Sequence, residues 1–98
     1  MSDIDADSVI DNHDAGRFEM TVDGHLAELR YQLDGERLVL THTEVPEELE
    51  GQGLGGTLVK AALERASRDR LRIVPQCPFA RDWLERHRDE VGTVAIDW

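Results

Sequence analysis

Four glycines within six residues are the clearest chemical signal in this sequence. Gly51, Gly53, Gly55 and Gly56 lie just before and inside the start of a segment with helical periodicity. A glycine inside a helix costs about 1 kcal/mol relative to alanine, so two glycines in the first turn need a physical reason. A helix start exposes unpaired N–H groups and a partial positive charge, and without Cβ atoms a phosphate can approach the backbone. The alternative is a flexible turn followed by close packing of the helix on a sheet.

Two common nucleotide-binding motifs fit this loop poorly. Residues 51–56 have the spacing G-x-G-x-x-G, but PEELE separates them from the preceding strand, and the next strand ends in VPQC without a carboxylate. A Gly-Lys-Ser/Thr sequence does not follow, which argues against a P-loop. A dinucleotide site is therefore the weaker interpretation.

Three other residues are candidates for proton or group transfer. His42 and Glu44 lie two residues apart in a segment with strand character, so their side chains share a face. A free imidazole has a pKa of about 6.5 and suits proton acceptance near neutrality. Cys77 follows the next short apolar segment, at the edge where parallel strands present ligands. The alternatives are a histidine packed near a strand end, a solvated carboxylate and a buried, inert thiol.

The elements that position these residues follow from hydrophobic periodicity. Three segments of alternating apolar and polar residues are separated by Asp-Gly turns, which predicts three antiparallel strands: 17–22, 25–33 and 37–45.

A helix, a strand and a second helix are predicted after this meander. Apolar residues recur at helical spacing over 52–68, and the short apolar run 71–74 predicts a strand parallel to the third one. Pro78 opens a second helix that extends to about residue 87, with Phe79, Trp83 and Leu84 interpreted as core. Alternation over 94–98 predicts a last edge strand.

Length and composition bound the class of protein. With 98 residues, we expect one domain over 16–98 and a loose acidic tail over 1–15, because that segment has too few apolar residues to offset its ordering entropy. A net charge of -10 argues against nucleic acid as a partner and favours amine-bearing partners. Neither a membrane span nor a signal peptide is expected, and we predict a cytoplasmic protein. A single cysteine provides no internal disulfide and no cysteine-cluster metal site.

The order of elements and two stretches of sequence resemble the GNAT acetyltransferase superfamily, in particular its minimal single-domain branch. The stretches are HTEVPEELEGQGLGGTLVKAALERA and LRIVPQCPF, and the resemblance extends from about Arg17 to His87. It implies an α/β fold with a GNAT-like mixed sheet: three antiparallel strands, then a β-α-β crossover and a C-terminal helix. The family pattern of Arg or Gln, two residues, Gly, one residue, Gly or Ala falls on Glu50, Gly53 and Gly55, and only Glu50 departs from it.

The resemblance implies acetyl-CoA as cosubstrate and a primary amine of a protein, peptide or polyamine as acceptor. Main-chain groups of Glu44 and Val45 would pair with the pantetheine arm of the cofactor. The pyrophosphate would lie against the backbone at the helix start, at Gln52, Gly53, Leu54, Gly55 and Gly56. A metal is not expected.

The same resemblance suggests roles in catalysis. A main-chain amide near Val45 would polarise the thioester carbonyl, and His42 or Glu44 would accept the proton of the attacking amine. Cys77 would act as a nucleophile that takes the acetyl group, or would pack against the thioester sulfur.

A second class of function stays open. A CoA-binding module without catalysis, acting as a sensor or partner domain, is consistent with the small size and with Glu50 in place of Arg or Gln. We expect a monomer or a weak homodimer.

Overall fold

A computed structural model describes residues 9–98 of the chain, which form one mixed sheet and three helices. The elements in chain order are β1 (Ile10–Asn12), β2 (Arg17–Val22), β3 (His25–Asp34), β4 (Arg37–Glu44), a 3-10 turn (Glu47–Leu49), α1 (Leu54–Asp69), β5 (Arg72–Pro75), α2 (Pro78–Arg86) and α3 (Arg88–Val91).

The sheet has the order β1-β2-β3-β4-β5. The first four strands are antiparallel neighbours, and β5 pairs with β4 in parallel after the α1 crossover. This confirms the mixed sheet that the sequence predicted. A bulge interrupts the pairing of β3 with β4, because Arg30 pairs with His42 whereas Tyr31 pairs with Leu40, which leaves Thr41 as the extra residue.

The parallel strands separate at this bulge. Their last paired residues are Leu40 and Pro75, and within residues 9–98 the rest of β4 has no strand partner on that side. One further contact holds the junction, where the main-chain N–H of Cys77 donates to the Leu40 carbonyl oxygen at 2.9 Å. The end of β4 therefore presents an open edge toward α2.

One face of the sheet packs against α1. Phe18, Leu29 and Leu40 on three successive strands are at most 2% exposed, and Leu58 and Ala62 on α1 are fully buried in the same cluster. Each buried leucine or phenylalanine contributes about 1.5–3 kcal/mol, so this contact fixes α1 against the sheet. Both the site and the helix start are held by this core.

The tail predicted over residues 1–15 extends too far along the chain, because part of it forms a strand. Ile10–Asn12 form β1, because Asp11 finds partners in Tyr31 and Arg65 that the local composition does not reveal. Residues 1–8 of the predicted tail lie outside the described residues.

Where the sequence predicts a last strand over residues 94–98, the structure has an isolated β-bridge. Ile96 pairs in parallel with Ile73 of β5. The Arg72 guanidinium binds the Asp97 carboxyl, whose pKa it lowers. Among the described residues, no helix is long and apolar enough to cross a membrane.

Candidate active site

A groove of about 430 Å³ lies where the end of β4, the glycine loop, α1 and α2 meet. Its walls come from four parts of the chain that the fold brings together: Thr43 and Val45 at the end of β4, Leu49 to Gly51 in the loop, Gly53 to Gly56 at the start of α1, and Phe79 with Trp83 on α2.

The start of α1 points unpaired donors at this groove. Gly53 is the N-cap residue, with a left-handed φ of 75° and no side chain to cap the helix. The first intrahelical bond runs from the Thr57 N–H to the Gly53 carbonyl at 3.1 Å, so the N–H groups of residues 54–56 have no acceptor within the helix. The first turn carries no acidic residue either. These donors and the helix dipole favour an anion at this position.

The four glycines form two pairs, and glycine is required for a different physical reason in each pair. A Cβ on Gly55 would lie 2.5 Å from Cζ of Phe79, and a Cβ on Gly56 would lie 2.5 Å from Nε1 of Trp83. Close packing therefore explains these two, although the partner is α2 rather than the sheet. Gly51 and Gly53 have φ values of 85° and 75° and open space around them, so the turn itself requires glycine there.

The aromatic residues of α2 form one wall of the groove. Phe79 is 44% exposed, which corrects its interpretation as core, whereas Leu84 is fully buried as expected. Trp83 is half-buried and stacks on His87, with ring centroids 4.1 Å apart. Helical spacing placed all three on one face, but the contact with the glycine backbone of α1 was not visible in the sequence.

The predicted cofactor-binding residues only partly line the groove. Val45, Gly53, Leu54, Gly55 and Gly56 do so, whereas Glu44 and Gln52 are exposed outside its lining. Thr43, Leu49, Glu50, Gly51, Phe79 and Trp83 were missed as lining residues.

Glu50 stands at the groove in place of the Arg or Gln of the family pattern. Its carboxylate would repel a diphosphate. Main-chain donors must therefore supply the attraction.

His42 and Glu44 share the face of β4 opposite to the groove side. The His42 Nε2 lies 3.4 Å from Glu44 Oε1, and both side chains are exposed. The groove side of the same strand end carries Thr43, which pairs with the core residue Leu29 of β3. The two faces meet at the open strand edge.

Cys77 is placed behind the groove wall. It is 4% exposed and does not line the groove. Its sulfur lies 3.1 Å from Thr43 Oγ1, and it is the N-cap residue of α2 without using its side chain as the cap.

The fold is a mixed α/β fold with a groove where the two parallel strands separate. Residues 17–93, most of the chain, match the family described as GCN5-related N-acetyl-transferase. The fold is similar to the solution NMR structure of a GCN5-like candidate N-acetyltransferase from Staphylococcus aureus, with a TM-score of 0.71 and 30% sequence identity. That similarity covers 100% of this chain and 94% of the other. The chain belongs to the GCN5-related N-acetyltransferase family, as the resemblance in its sequence predicted.

Proposed function

We propose that this protein transfers the acetyl group of acetyl-CoA to a primary amine. The observation that carries the proposal is the meeting of an uncapped helix start with an open strand edge in one groove. A linear ligand that has an amide-containing arm and a diphosphate would use the strand edge for the arm and the helix start for the diphosphate.

The residues present fit the cofactor that the family uses. The N–H groups at the start of α1, at Leu54, Gly55 and Gly56, would hold the pyrophosphate, together with the backbone of Gln52 and Gly53. At Gly53 the space that a Cβ would occupy is open, so oxygens can approach the backbone there. Bound there, acetyl-CoA supplies an acetyl group already activated as a thioester.

The open edge of β4 would hold the pantetheine arm. Its amide groups would pair with main-chain groups of Glu44 and Val45 as an added strand does. Phe79, which is 44% exposed, provides apolar surface in the groove. The arm would thus be held by the backbone and by apolar contact, with little demand on charged side chains.

The acceptor amine would arrive on the face of β4 that carries His42 and Glu44. An ammonium group must lose a proton before its nitrogen can attack, and these two groups, 3.4 Å apart and exposed, would take it directly or through water. The excess of 21 acidic over 11 basic residues favours a cationic acceptor, such as a polyamine or a lysine side chain of a protein.

The buried position of Cys77 favours direct attack by the amine over a covalent step. A nucleophilic thiol must reach the thioester carbon, but Thr43 separates this sulfur from the groove. Replacing Cys77 by alanine should lower the turnover far less than the loss of a nucleophile would. Loss of nearly all turnover with unchanged CoA affinity would favour the covalent route.

Release of free CoA thiol tests the proposal. The protein is incubated with acetyl-CoA and a panel that contains spermidine, a lysine peptide and a neutral primary amine. Turnover with at least one amine, and a melting temperature raised by CoA, would support acetyl transfer. Saturable binding without thiol release from any amine would favour the CoA-binding module, for which the substitution of Glu50 at the family position is the supporting feature.

A further inference from the structure

Thr43 is the polar side chain of β4 that faces the groove. It lies two residues before Val45, at the point where β4 and β5 separate. The acyl end of a ligand whose arm follows this strand edge would lie next to it. Among the groove residues, its hydroxyl is the one side-chain donor on the strand side, since Val45 is apolar.

The Thr43 hydroxyl has a fixed partner on its far side. Cys77 Sγ lies 3.1 Å from Thr43 Oγ1. The main chain of Cys77 is held at both ends, because its N–H donates to Leu40 at 2.9 Å and its carbonyl accepts from Arg81 at 3.0 Å. The backbone therefore fixes the Cβ atom of Cys77, and the thiol is too buried to rotate into solvent.

The contact with Cys77 determines the direction in which the Thr43 hydroxyl proton points. A thiol has one proton and a hydroxyl has one proton and two lone pairs. When the Cys77 thiol donates to Thr43 Oγ1, the hydroxyl proton points away from the sulfur. Thr43 lines the groove and Cys77 does not, so a hydroxyl proton that points away from the sulfur is available to a ligand there.

We propose that Thr43 donates a hydrogen bond to the thioester carbonyl oxygen of the acyl donor and that Cys77 orients its hydroxyl. The inference rests on the proposed function of the groove and adds a catalytic residue to it. Acyl transfer builds negative charge on this oxygen, and a fixed donor stabilises that charge more than it stabilises the ground state.

The step balances without a covalent enzyme intermediate. The amine nitrogen forms a bond to the carbonyl carbon, the carbon–sulfur bond breaks, and its electron pair leaves with the sulfur of CoA. The amine proton passes to the His42 and Glu44 side or to water. Thr43 keeps its proton throughout, and Cys77 is a positioning residue.

Binding of two ligands that differ by the carbonyl oxygen tests the hydrogen bond. Acetyl-CoA has this oxygen, and S-ethyl-CoA, a thioether, lacks it. By calorimetric titration we expect the protein to prefer acetyl-CoA by about fivefold, the size of a typical net hydrogen bond. Thr43→Val, which keeps the shape but lacks the hydroxyl, should abolish the preference, whereas Thr43→Ser should keep it.

Cys77 is tested by the same preference. Cys77→Ser retains a donor to Thr43 and should retain the preference, and Cys77→Ala should reduce it without weakening the binding of S-ethyl-CoA. A purely structural role would weaken both ligands equally. For turnover, Thr43→Val should lower kcat by about 100-fold, whereas KM for acetyl-CoA should rise by no more than about the fivefold that the ground-state hydrogen bond contributes.

The outcomes separate this inference from the function on which it rests. A preference that Thr43→Val abolishes supports the hydrogen bond even if no amine is acetylated, in which case only the enzymatic proposal fails. An unchanged preference in Thr43→Val overturns the inference while leaving the CoA site intact. Binding of neither ligand by the unsubstituted protein overturns both.

Discussion

The two ends of α1 differ in whether their hydrogen-bond donors have partners within the protein. At the start of the helix, the N–H groups of residues 54–56 have no partner within the helix, and the N-cap residue Gly53 has no side chain to cap them. In the last turns, the charged side chain of Arg65 is 6% exposed and its donors are matched by several acceptors. One helix thus has its unused donors at the end that lines the groove.

At the C-terminal end of α1, a buried network of hydrogen bonds connects three elements. Arg65 Nη1 donates to Asp11 of β1 and to the Tyr31 hydroxyl of β3, both at 2.9 Å, and its Nε donates to Asp69 at 3.3 Å. Burial, and then the hydrogen bond to Asp11, raise the pKa of Tyr31 to about 12. The network therefore stabilises the fold without taking part in the groove.

The contrast indicates that one end of α1 contributes to stability and the other end is available to a ligand. Hydrogen bonds that are complete within the protein contribute to stability but have nothing left for a ligand. Donors that are incomplete in the protein lower its stability until a ligand completes them. Substitutions at the two ends should therefore separate ligand binding from stability.

The largest effect is expected from Gly53→Glu at the open end. The added carboxylate would stand at the helix start where the phosphates bind, so CoA affinity should fall by at least about 100-fold. At a ligand concentration of 100 times the original Kd, the stabilisation of about 2.7 kcal/mol that CoA gives should fall to about 0.4 kcal/mol or less. Thermal melting with and without CoA measures this.

Gly24→Glu is the matched control. Gly24 also has a positive φ, 78°, with open space around it, but it lies in the hairpin turn between β2 and β3. Both variants bear the same backbone strain of about 1–2 kcal/mol. An equal loss of the CoA shift in both variants would show that strain, and not the site, is responsible.

The next effect is at the C-terminal end of α1, with Arg65→Met. Removing the guanidinium leaves the Asp11 carboxylate without its buried cation and the Tyr31 hydroxyl without one of its donors, so the free energy of unfolding should fall by about 3 kcal/mol. Denaturant unfolding measures this. The added stability from CoA should stay the same.

Arg68→Met on the same helix is the comparison for that change. Arg68 also pairs with Asp69, but its side chain is 67% exposed. A change within about 0.5 kcal/mol is expected. Similar losses for the two variants would contradict the special weight given to the buried network.

A smaller effect is expected where α1 and α2 touch. In Gly56→Ala the new Cβ would meet Nε1 of Trp83 at 2.5 Å. Although alanine favours the helix, the overpacking should lower the free energy of unfolding by about 1–2 kcal/mol. Adding Trp83→Leu should remove the clash and recover part of the loss. A Gly56→Ala protein as stable as the original would show that the contact is loose.

The smallest effect is the pH dependence that Tyr31 introduces. Its pKa is raised from 10.0 to about 12, so the folded state favours the neutral phenol. This contribution is complete below pH 10 and is lost as the pH rises from 10 toward 12. Tyr31→Phe should be less stable than the original protein by about 1 kcal/mol at pH 8, and the difference should shrink above pH 10. A difference that grows with pH would contradict the raised pKa.

The sequence was informative about elements whose signals are local. Asp-Gly turns and alternation predicted the β2–β4 meander, and helical spacing predicted α1 to within two residues at each end. The glycines marked the loop because their cost in a helix is a local property. Gly53, which stops the helix with a left-handed φ, explains why α1 begins at Leu54 instead of Gln52.

Contacts between distant parts of the chain could not be predicted in the same way. Arg65 and Asp11 are 54 positions apart, and Cys77 and Thr43 are 34 positions apart. Pairings of this kind depend on the bulge at Thr41 and on how the strands separate, for which the composition has no signal. For this reason the sequence predicts a tail where β1 forms, and it has no signal that marks Thr43.

The most direct measurement is a titration of the ¹⁵N-labelled protein with coenzyme A, followed through its backbone amide resonances. A diphosphate bound at the open end of α1 should shift the amide resonances of Leu54, Gly55 and Gly56 most strongly, followed by Val45 at the strand edge, while Arg65 and Tyr31 stay nearly unmoved. Large shifts confined to another surface, or no shifts at saturating coenzyme, would contradict a cofactor site at the start of this helix.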